Sequence, residues 1–233
     1  MGGILLIGLF FSGSIQFAEE RNREVLFLFL TVVLIFVACF RAESVGKDTQ
    51  YYARLFRVIA NLRWQDLFSY SRQSGYEIGY VLYNKLLSVI STSGQIVTIA
   101  NSLILMVLVY TVTKRECQNP IFGLYVFYTV GIYQAGFNIV SSLIAAYIVY
   151  LGLNAVRERK LLKYVSYVVI ASMFHSAAIV MMILYFVYGV RINRRRVVAL
   201  LTVGLVITFF LGRFVNILAN FIPGKYVRYM SRS

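Results

Sequence analysis

Four groups of residues have the types and spacing to do chemistry. The first is Arg41-Ala42-Glu43-Ser44-Val45-Gly46-Lys47-Asp48-Thr49-Gln50-Tyr51-Tyr52, directly after an apolar run. An arginine at such a boundary suits a diphosphate, because its planar fork donates paired hydrogen bonds to phosphate oxygens. Gly46 lets the backbone turn or approach a ligand closely. Asp48 can accept a proton from a hydroxyl or orient Arg41. The structural alternative is that Arg41 snorkels to an interface and Asp48 caps a helix. Tyr52 and Arg54 lie on the same segment and join the candidates for substrate contact. The second group is Glu77 in Gly75-Tyr76-Glu77-Ile78-Gly79-Tyr80. A carboxylate among tyrosines can position or deprotonate a substrate hydroxyl. Equally, Ser74-Gly75-Tyr76-Glu77 fits a capping box, with Glu77 folded back on its own helix start. The third is His175, the only histidine, inside an apolar run, where an ionisable group is a functional candidate by default; the alternative is a neutral ring holding a hinge. The fourth is Arg213 with Lys225, Arg228 and Tyr229, which add positive charge above a site or form a solvated basic end.

The elements that must position these residues follow from composition. The chain has 233 residues, 60% of them hydrophobic and only 14% charged. Soluble domains carry about a quarter charged residues, and one water-soluble core of this length cannot hide so much apolar surface. Two prolines favour long helices, and continuous rather than alternating apolar runs argue against a membrane barrel. The expected class is therefore all-α: a polytopic integral membrane protein forming a single membrane domain over 1–233. The net charge of +14 then reads as span-flanking lysines and arginines that meet anionic lipid, not as a nucleic-acid surface. Cys39 and Cys117 fall on opposite faces and predict no disulfide, and nothing predicts a metal site or cofactor.

A span needs roughly 20 apolar residues, and about eight candidate membrane segments can be placed. They run near Ile4 to Phe17 (a first span, not a signal peptide), Val25 to Phe40, Gln95 to Val112, Ile121 to Tyr133, and Phe137 to Leu153. Tyr164 to Phe174, Ala177 to Val190 and Val197 to Leu211 complete the set. Three short basic loops, at Lys114-Arg115, Arg157 to Lys163 and Arg191 to Arg196, then fall on one side, as the positive-inside rule requires. That agreement demands a hairpin hinged near His175 and Ser176, since one long helix over 164–190 would part the last two clusters. The region 41–94 lies on the opposite side. It is too long for a simple connection and predicts an extracytoplasmic insertion with two interfacial helices. One follows Asp48 and reaches about Asn61; the other starts near Gly75 and runs toward Val89.

The chain has no Walker, GxGxxG, DxD or GxSxG motif. With all candidate groups outside, where nucleotide donors are absent, the energy source has to sit in the substrate itself. Taken in order, Arg41…Val45-Gly46-x-Asp48-Thr49-x-x-Tyr52, Glu77-x-Gly79-Tyr80 and Ala171-Ser172-Met173-Phe174-His175-Ser176-Ala177-Ala178 resemble the EpsG-like family. These are bacterial exopolysaccharide polymerases akin to Wzy-type O-antigen and capsule polymerases. The resemblance spans about Val25 to Arg228 and includes the basic segment Arg159 to Tyr164. It implies a multi-pass protein of the bacterial inner membrane that transfers a growing glycan from a polyprenyl diphosphate to a lipid-linked repeat unit. The expected partners are an undecaprenyl-diphosphate-linked oligosaccharide, membrane lipids and other polysaccharide-assembly membrane proteins. By motif position Arg41, Asp48, Glu77 and His175 line the site: Arg41 grips the diphosphate, Asp48 or Glu77 activates the acceptor hydroxyl, and His175 assists at phosphate or sugar.

Two departures qualify the resemblance. The family usually has an Arg-Gln pair near the start of the helix after Phe137, where this chain has Ser141-Ser142. Relatives also continue with further spans beyond the equivalent of Ser233, which reads as a fragment, a short variant or an inactive relative. Two other readings compete: a different glycosyl or acyl transferase using a lipid-linked donor, and a non-catalytic transport subunit or flippase. The latter predicts charges inside a central cavity rather than at the two faces.

Overall fold

The computed structural model describes residues 20–190, 193, 194, 198, 201–206 and 208–210. The expected span from Ile4 to Phe17, and Arg191, Arg195, Arg196, Arg213, Lys225, Arg228 and Tyr229, lie outside the described residues, as does part of the segment from Val197 to Leu211. Among the described residues every regular element is helical: α1 (Glu20–Cys39), α2 (Thr49–Asn61), a 3₁₀ turn (Trp64–Asp66), α3 (Leu67–Ser74), α4 (Ile78–Ile90), α5 (Gln95–Glu116), α6 (Pro120–Thr129), α7 (Ile132–Ala135), α8 (Val140–Arg157), α9 (Leu161–Phe174), a 3₁₀ stretch (Ser176–Met182) and α10 (Ile183–Val187).

Three of these are long and apolar enough to cross a membrane: Arg21–Cys39, Gln95–Glu116 and Val140–Arg157. The other apolar stretches, among them Pro120–Thr129, Leu161–Phe174 and Ser176–Val187, are shorter, so length and composition support three of the eight expected segments directly. On α1, Phe27, Leu30, Leu34 and Ala38 are buried, yet Leu28, Phe29, Val32 and Phe36 are exposed and equally apolar. A helix that is hydrophobic on its outward face as well belongs in lipid.

Ion pairs and hydrogen bonds between helix ends give the bundle its directions. The Gln95 amide donates to the Cys39 carbonyl at one end (2.6 Å), and Lys114 pairs with Glu24 at the other (3.0 Å), so α1 and α5 run antiparallel. Glu116 lies 3.5 Å from Arg157, which places the C-termini of α5 and α8 side by side. The chain returns between them through α6 and α7. Asn119 caps α6, accepting from the Phe122 amide at 3.1 Å, with Pro120 at the first helical position, where its missing N–H is no loss. Gly131, at φ +84°, breaks the expected Ile121 to Tyr133 segment into two pieces.

The hairpin hinged at His175 is present. The Tyr164 hydroxyl donates to the Met181 carbonyl (2.6 Å), so residue 181 has returned to the level of residue 164. Arg159 adopts φ +58°, a left-handed conformation costing roughly 1–2 kcal/mol for a residue with a Cβ. Its guanidinium donates to the carbonyls of Tyr185 (3.0 Å) and Tyr188, and the Tyr185 hydroxyl donates back to the Arg159 carbonyl. The returning arm is a 3₁₀ stretch followed by a short helix rather than one regular span. Lys114, Arg115, Arg157, Arg159 and Tyr188 thus share one end of the molecule, called here the basic end.

Residues 41–94 cover the opposite end. Helix α2 is amphipathic: Ala53, Phe56 and Ile59 are buried, while Arg54, Arg57 and Val58 face out. Its C-terminus is closed by Lys85, whose ammonium donates to the Ala60 (2.8 Å) and Leu62 (2.6 Å) carbonyls. A cation there complements both the unpaired carbonyls and the helix dipole. Leu55, Ile59, Leu67, Tyr80 and Val81 form a small core between α2, α3 and α4.

Candidate functional site

The first sequence group docks as a unit on the segment just before α8. Arg41 lays its guanidinium over the Phe137 ring, 4.5 Å from the centroid. The same side chain donates to the Ala38 carbonyl and, at 2.8 Å, to the Ser102 hydroxyl. Gly46, at φ +92°, sits so close to Phe137 that an added methyl would come within 2.9 Å of the Phe137 Cβ. Thr49 places its hydroxyl 3.3 Å from the Phe137 carbonyl, and the Tyr52 hydroxyl donates to the Asn138 carbonyl at 3.0 Å. Residues 41, 46, 49 and 52 therefore share one receptor, Phe137-Asn138. Gly46 serves a backbone contact in this arrangement.

The second group docks on the third. A methyl on Gly79 would stand 2.3 Å from the Met173 Cβ and 2.8 Å from the Met173 carbonyl, so only glycine lets α4 approach the end of α9 this closely. Glu77 does not form a capping box. Ser74 is the last residue of α3, and Gly75 ends that helix in the left-handed region at φ +76°. The Glu77 carboxylate instead reaches across the fold. Its Oε1 accepts from the Ser176 amide at 3.1 Å and the Ser176 hydroxyl at 2.9 Å, which anchors the start of the 3₁₀ stretch beside His175. His175 is half-buried with extended backbone; its amide donates to the Ala171 carbonyl and its carbonyl accepts from the Ala178 amide, each at 3.0 Å.

Tyr52 joins the two docked halves. Its ring meets Tyr80 edge-on at 6.1 Å. Burial raises its pKa above that of an ordinary phenol; hydrogen bonding from Ser141 offsets part of the rise, and the charges of Asp48 and Glu77 add to it. Asp48 precedes α2 but makes no side-chain capping bond, so the capping alternative does not account for it. Burial lowers the pKa of Arg41, with Tyr133 opposing; a guanidinium stays charged throughout.

Arg54 stands apart from this cluster. It is exposed and donates back to the Gln50 carbonyl at 3.3 Å. Arg213 lies outside the described residues. Asn101 and Ser102 also belong to the site, though neither is among the residues selected from the sequence, and Ser176, expected only as part of the hinge, holds Glu77. Asn101 donates to the buried Tyr80 hydroxyl at 3.3 Å, and Ser102 holds Arg41. Two polar residues within an apolar span were the available signal. Phe137-Asn138, as a docking point for the first group, carries no comparable signal. Among the described residues, no cluster of histidine, cysteine and acidic side chains could hold a metal ion.

The model of the EpsG family matches residues 24–233. No curated protein and no solved structure matches the chain.

Proposed function

The chain belongs to the EpsG family, which makes it a membrane protein of exopolysaccharide biosynthesis, and from that premise we propose that it polymerises lipid-linked glycan repeat units. The donor is a growing glycan on a polyprenyl diphosphate, and the acceptor is the next lipid-linked unit. The observation that carries this reading is the gathering of Arg41, Asp48, Tyr52 and the Glu77–Ser176 pair at the end of the bundle away from the basic end. By the positive-inside rule that end faces out of the cytoplasm, here across a bacterial inner membrane.

The proposed step moves no electrons between redox states. The acceptor hydroxyl oxygen attacks the anomeric carbon of the donor's first sugar. The bond from that carbon to the diphosphate oxygen breaks, and its electron pair leaves with the diphosphate. The hydroxyl proton passes to a carboxylate. The products are free polyprenyl diphosphate and a lipid-linked glycan longer by one repeat. Arg41 suits the leaving group: its Nε is buried with no partner among the described residues, and a phosphate oxygen would satisfy it. Asp48 suits the base, because Glu77 is already engaged at one oxygen by Ser176. Glu77 then acts as a positioning residue, setting the turn that presents His175 to sugar or phosphate. Gly46 shapes the loop between Arg41 and Asp48, and Tyr52 holds that loop against α8.

The test is complementation of a polymerase-deleted strain, with the extracted glycan run on a gel. The wild-type chain restores a polymer ladder, and Asp48→Asn at equal membrane level does not. Single repeat units accumulating with the wild-type chain would instead favour the transport-subunit reading, and one added sugar without a ladder would favour another lipid-linked-donor transferase.

A further inference from the structure

The region 41–94 is rich in tyrosine, and several of its rings follow one another in contact. Tyr70 stacks on Tyr76 at 6.5 Å with planes 21° apart. Tyr76 meets Tyr51 at 6.3 Å, and Tyr51 meets Tyr52 at 6.0 Å. The series runs from the surface of α3 inward to Tyr52, whose hydroxyl donates to the Asn138 carbonyl. Local structure builds it. Gly75 reverses the chain in the left-handed region, and the Ser71 hydroxyl donates to the Tyr76 carbonyl at 2.6 Å, which fixes Tyr76 beside Tyr70. Tyr51 remains 45% exposed at the middle of the series, and Tyr70 and Tyr76 are half-exposed. Tyr70 and Tyr76 pack one side against the core of Leu55, Ile59, Leu67, Tyr80 and Val81 and leave the other side open.

We propose that Tyr70, Tyr76 and Tyr51 form a saccharide-binding track that holds the growing glycan as it leaves the reacting centre. The proposal rests on the polymerase reading for the identity of the chain held. Ring faces stack on the apolar C–H faces of sugars, and phenol hydroxyls bond to sugar hydroxyls; an amphipathic aromatic does both at small entropic cost. Neighbouring rings stand 6.0–6.5 Å apart while their planes turn from 21° through 50° to 67°, so an extended chain meets a stacked pair, a tilted ring and an edge in turn. Several weak contacts in series keep a polymer tethered between additions, because loss of one leaves the others in place. Beyond Tyr52 the ring contacts continue to Tyr80 and Tyr83 at 6.1 and 5.9 Å, but Tyr80 is buried, so only the outer three rings are open to a ligand. Phe68, on α3 two residues before Tyr70, is 62% exposed with Arg72 beside it and stands outside the ring series. It fits a membrane-interface side chain and serves as the control.

The experiment has two arms. In the first, the purified chain in lipid nanodiscs is titrated with end-labelled fragments of the producing strain's own polysaccharide, freed of lipid by mild acid. Tyr51→Ala and Tyr76→Ala should each weaken binding roughly three- to ten-fold, the range expected for one lost aromatic contact; Tyr51→Phe should weaken it less, and Phe68→Ala should leave it unchanged. In the second, the same variants are scored for ladder length. Tyr51→Ala and Tyr76→Ala should shorten the most abundant polymer while the first elongation product still forms at the wild-type level. Fragment binding without any wild-type ladder would keep the track and remove the polymerase reading. A wild-type ladder whose length and fragment affinity ignore both alanine variants would overturn the track and leave the polymerase reading in place. Equal losses of membrane protein for Tyr51→Ala and Phe68→Ala, with an unaltered length distribution, would assign these rings to the bilayer and overturn it as well.

Discussion

The two ends of the molecule differ in how completely their polar groups are partnered. At the basic end charge answers charge: Lys114 pairs with Glu24, Arg115 and Arg157 with Glu116, and Lys160 with Glu158. At the motif end Arg57 pairs with Glu43 and Arg63 with Asp66, while Arg41 and Asp48 take part in no ion pair among the described residues. Buried side-chain atoms without a hydrogen-bond partner also gather there: Arg41 Nε, Tyr83 Oη, and the Oδ1 atoms of Asn84, Asn101 and Asn138. Each such atom costs about 1–3 kcal/mol if it stays dry, and native structures hold few of them. The basic end follows the ordinary rules of a cytoplasmic membrane face. The motif end departs from them at Arg41 and the three asparagines, the residues on which the proposed substrate contacts would fall. The forces differ as well. In the bundle, lipid is as apolar as leucine, so packing rather than water exclusion joins the helices. In 41–94, the core of Leu55, Ile59, Leu67 and Val81 draws on the hydrophobic effect itself.

The sharpest way to break this contrast is a matched carboxylate pair. Asp48→Asn should lower polymer yield by about 10²–10⁴-fold, as expected for loss of a general base, while Glu116→Gln at the other end leaves yield unchanged; equal effects from both would erase the asymmetry. Next in size is Glu77. Alanine removes the acceptor for Ser176 and should lower yield about 100-fold, whereas Gln keeps a carbonyl oxygen there and should stay within about ten-fold of wild type, since a positioning role needs a hydrogen bond rather than a charge. A Glu77→Gln as inactive as Asp48→Asn would transfer the base role to Glu77. Arg41→Lys should then lower yield about ten-fold by losing the planar fork while keeping the charge; the same change at Arg157 should be silent.

Two glycines give the smallest expected effect, on stability. Gly79→Ala sets a methyl against Met173 Cβ and backbone, and should cost about 1–3 kcal/mol, visible as a lower Tm in detergent. Gly123→Ala at the basic end meets Thr113 Cγ2 and Cys117 Sγ at 2.7 and 2.8 Å, each movable by one χ1 rotation, and Cys117 Cβ only at 3.4 Å, so its Tm should fall less. A larger loss at Gly123 would show that the tight approach of α4 to α9 is not the more rigid of the two contacts.

Much of this was legible in the chain. Apolar length marked α1, α5 and α8, and the alternation of basic loops required the hairpin at His175 that Tyr164 and Met181 close. The spacing after Asp48 announced an amphipathic helix, and α2 ends at Asn61 as expected. The capping box at Ser74 to Glu77 was a plausible local pattern that lost. Gly75 ends one helix there instead of opening the next, and the carboxylate found a better partner far away.

By itself the sequence determined which segments are apolar enough for lipid, which residues are polar enough for chemistry, and that the basic loops share a side. These properties are local, set by residue type and a period of a few positions. The tertiary structure alone decided that Tyr52 bonds to Asn138, 86 residues on, and that Glu77 holds Ser176, 99 residues on. It alone made Gly46 and Gly79 points of closest approach. Such pairings depend on how helices meet, and helical periodicity specifies the face a residue occupies but not the residue it will face.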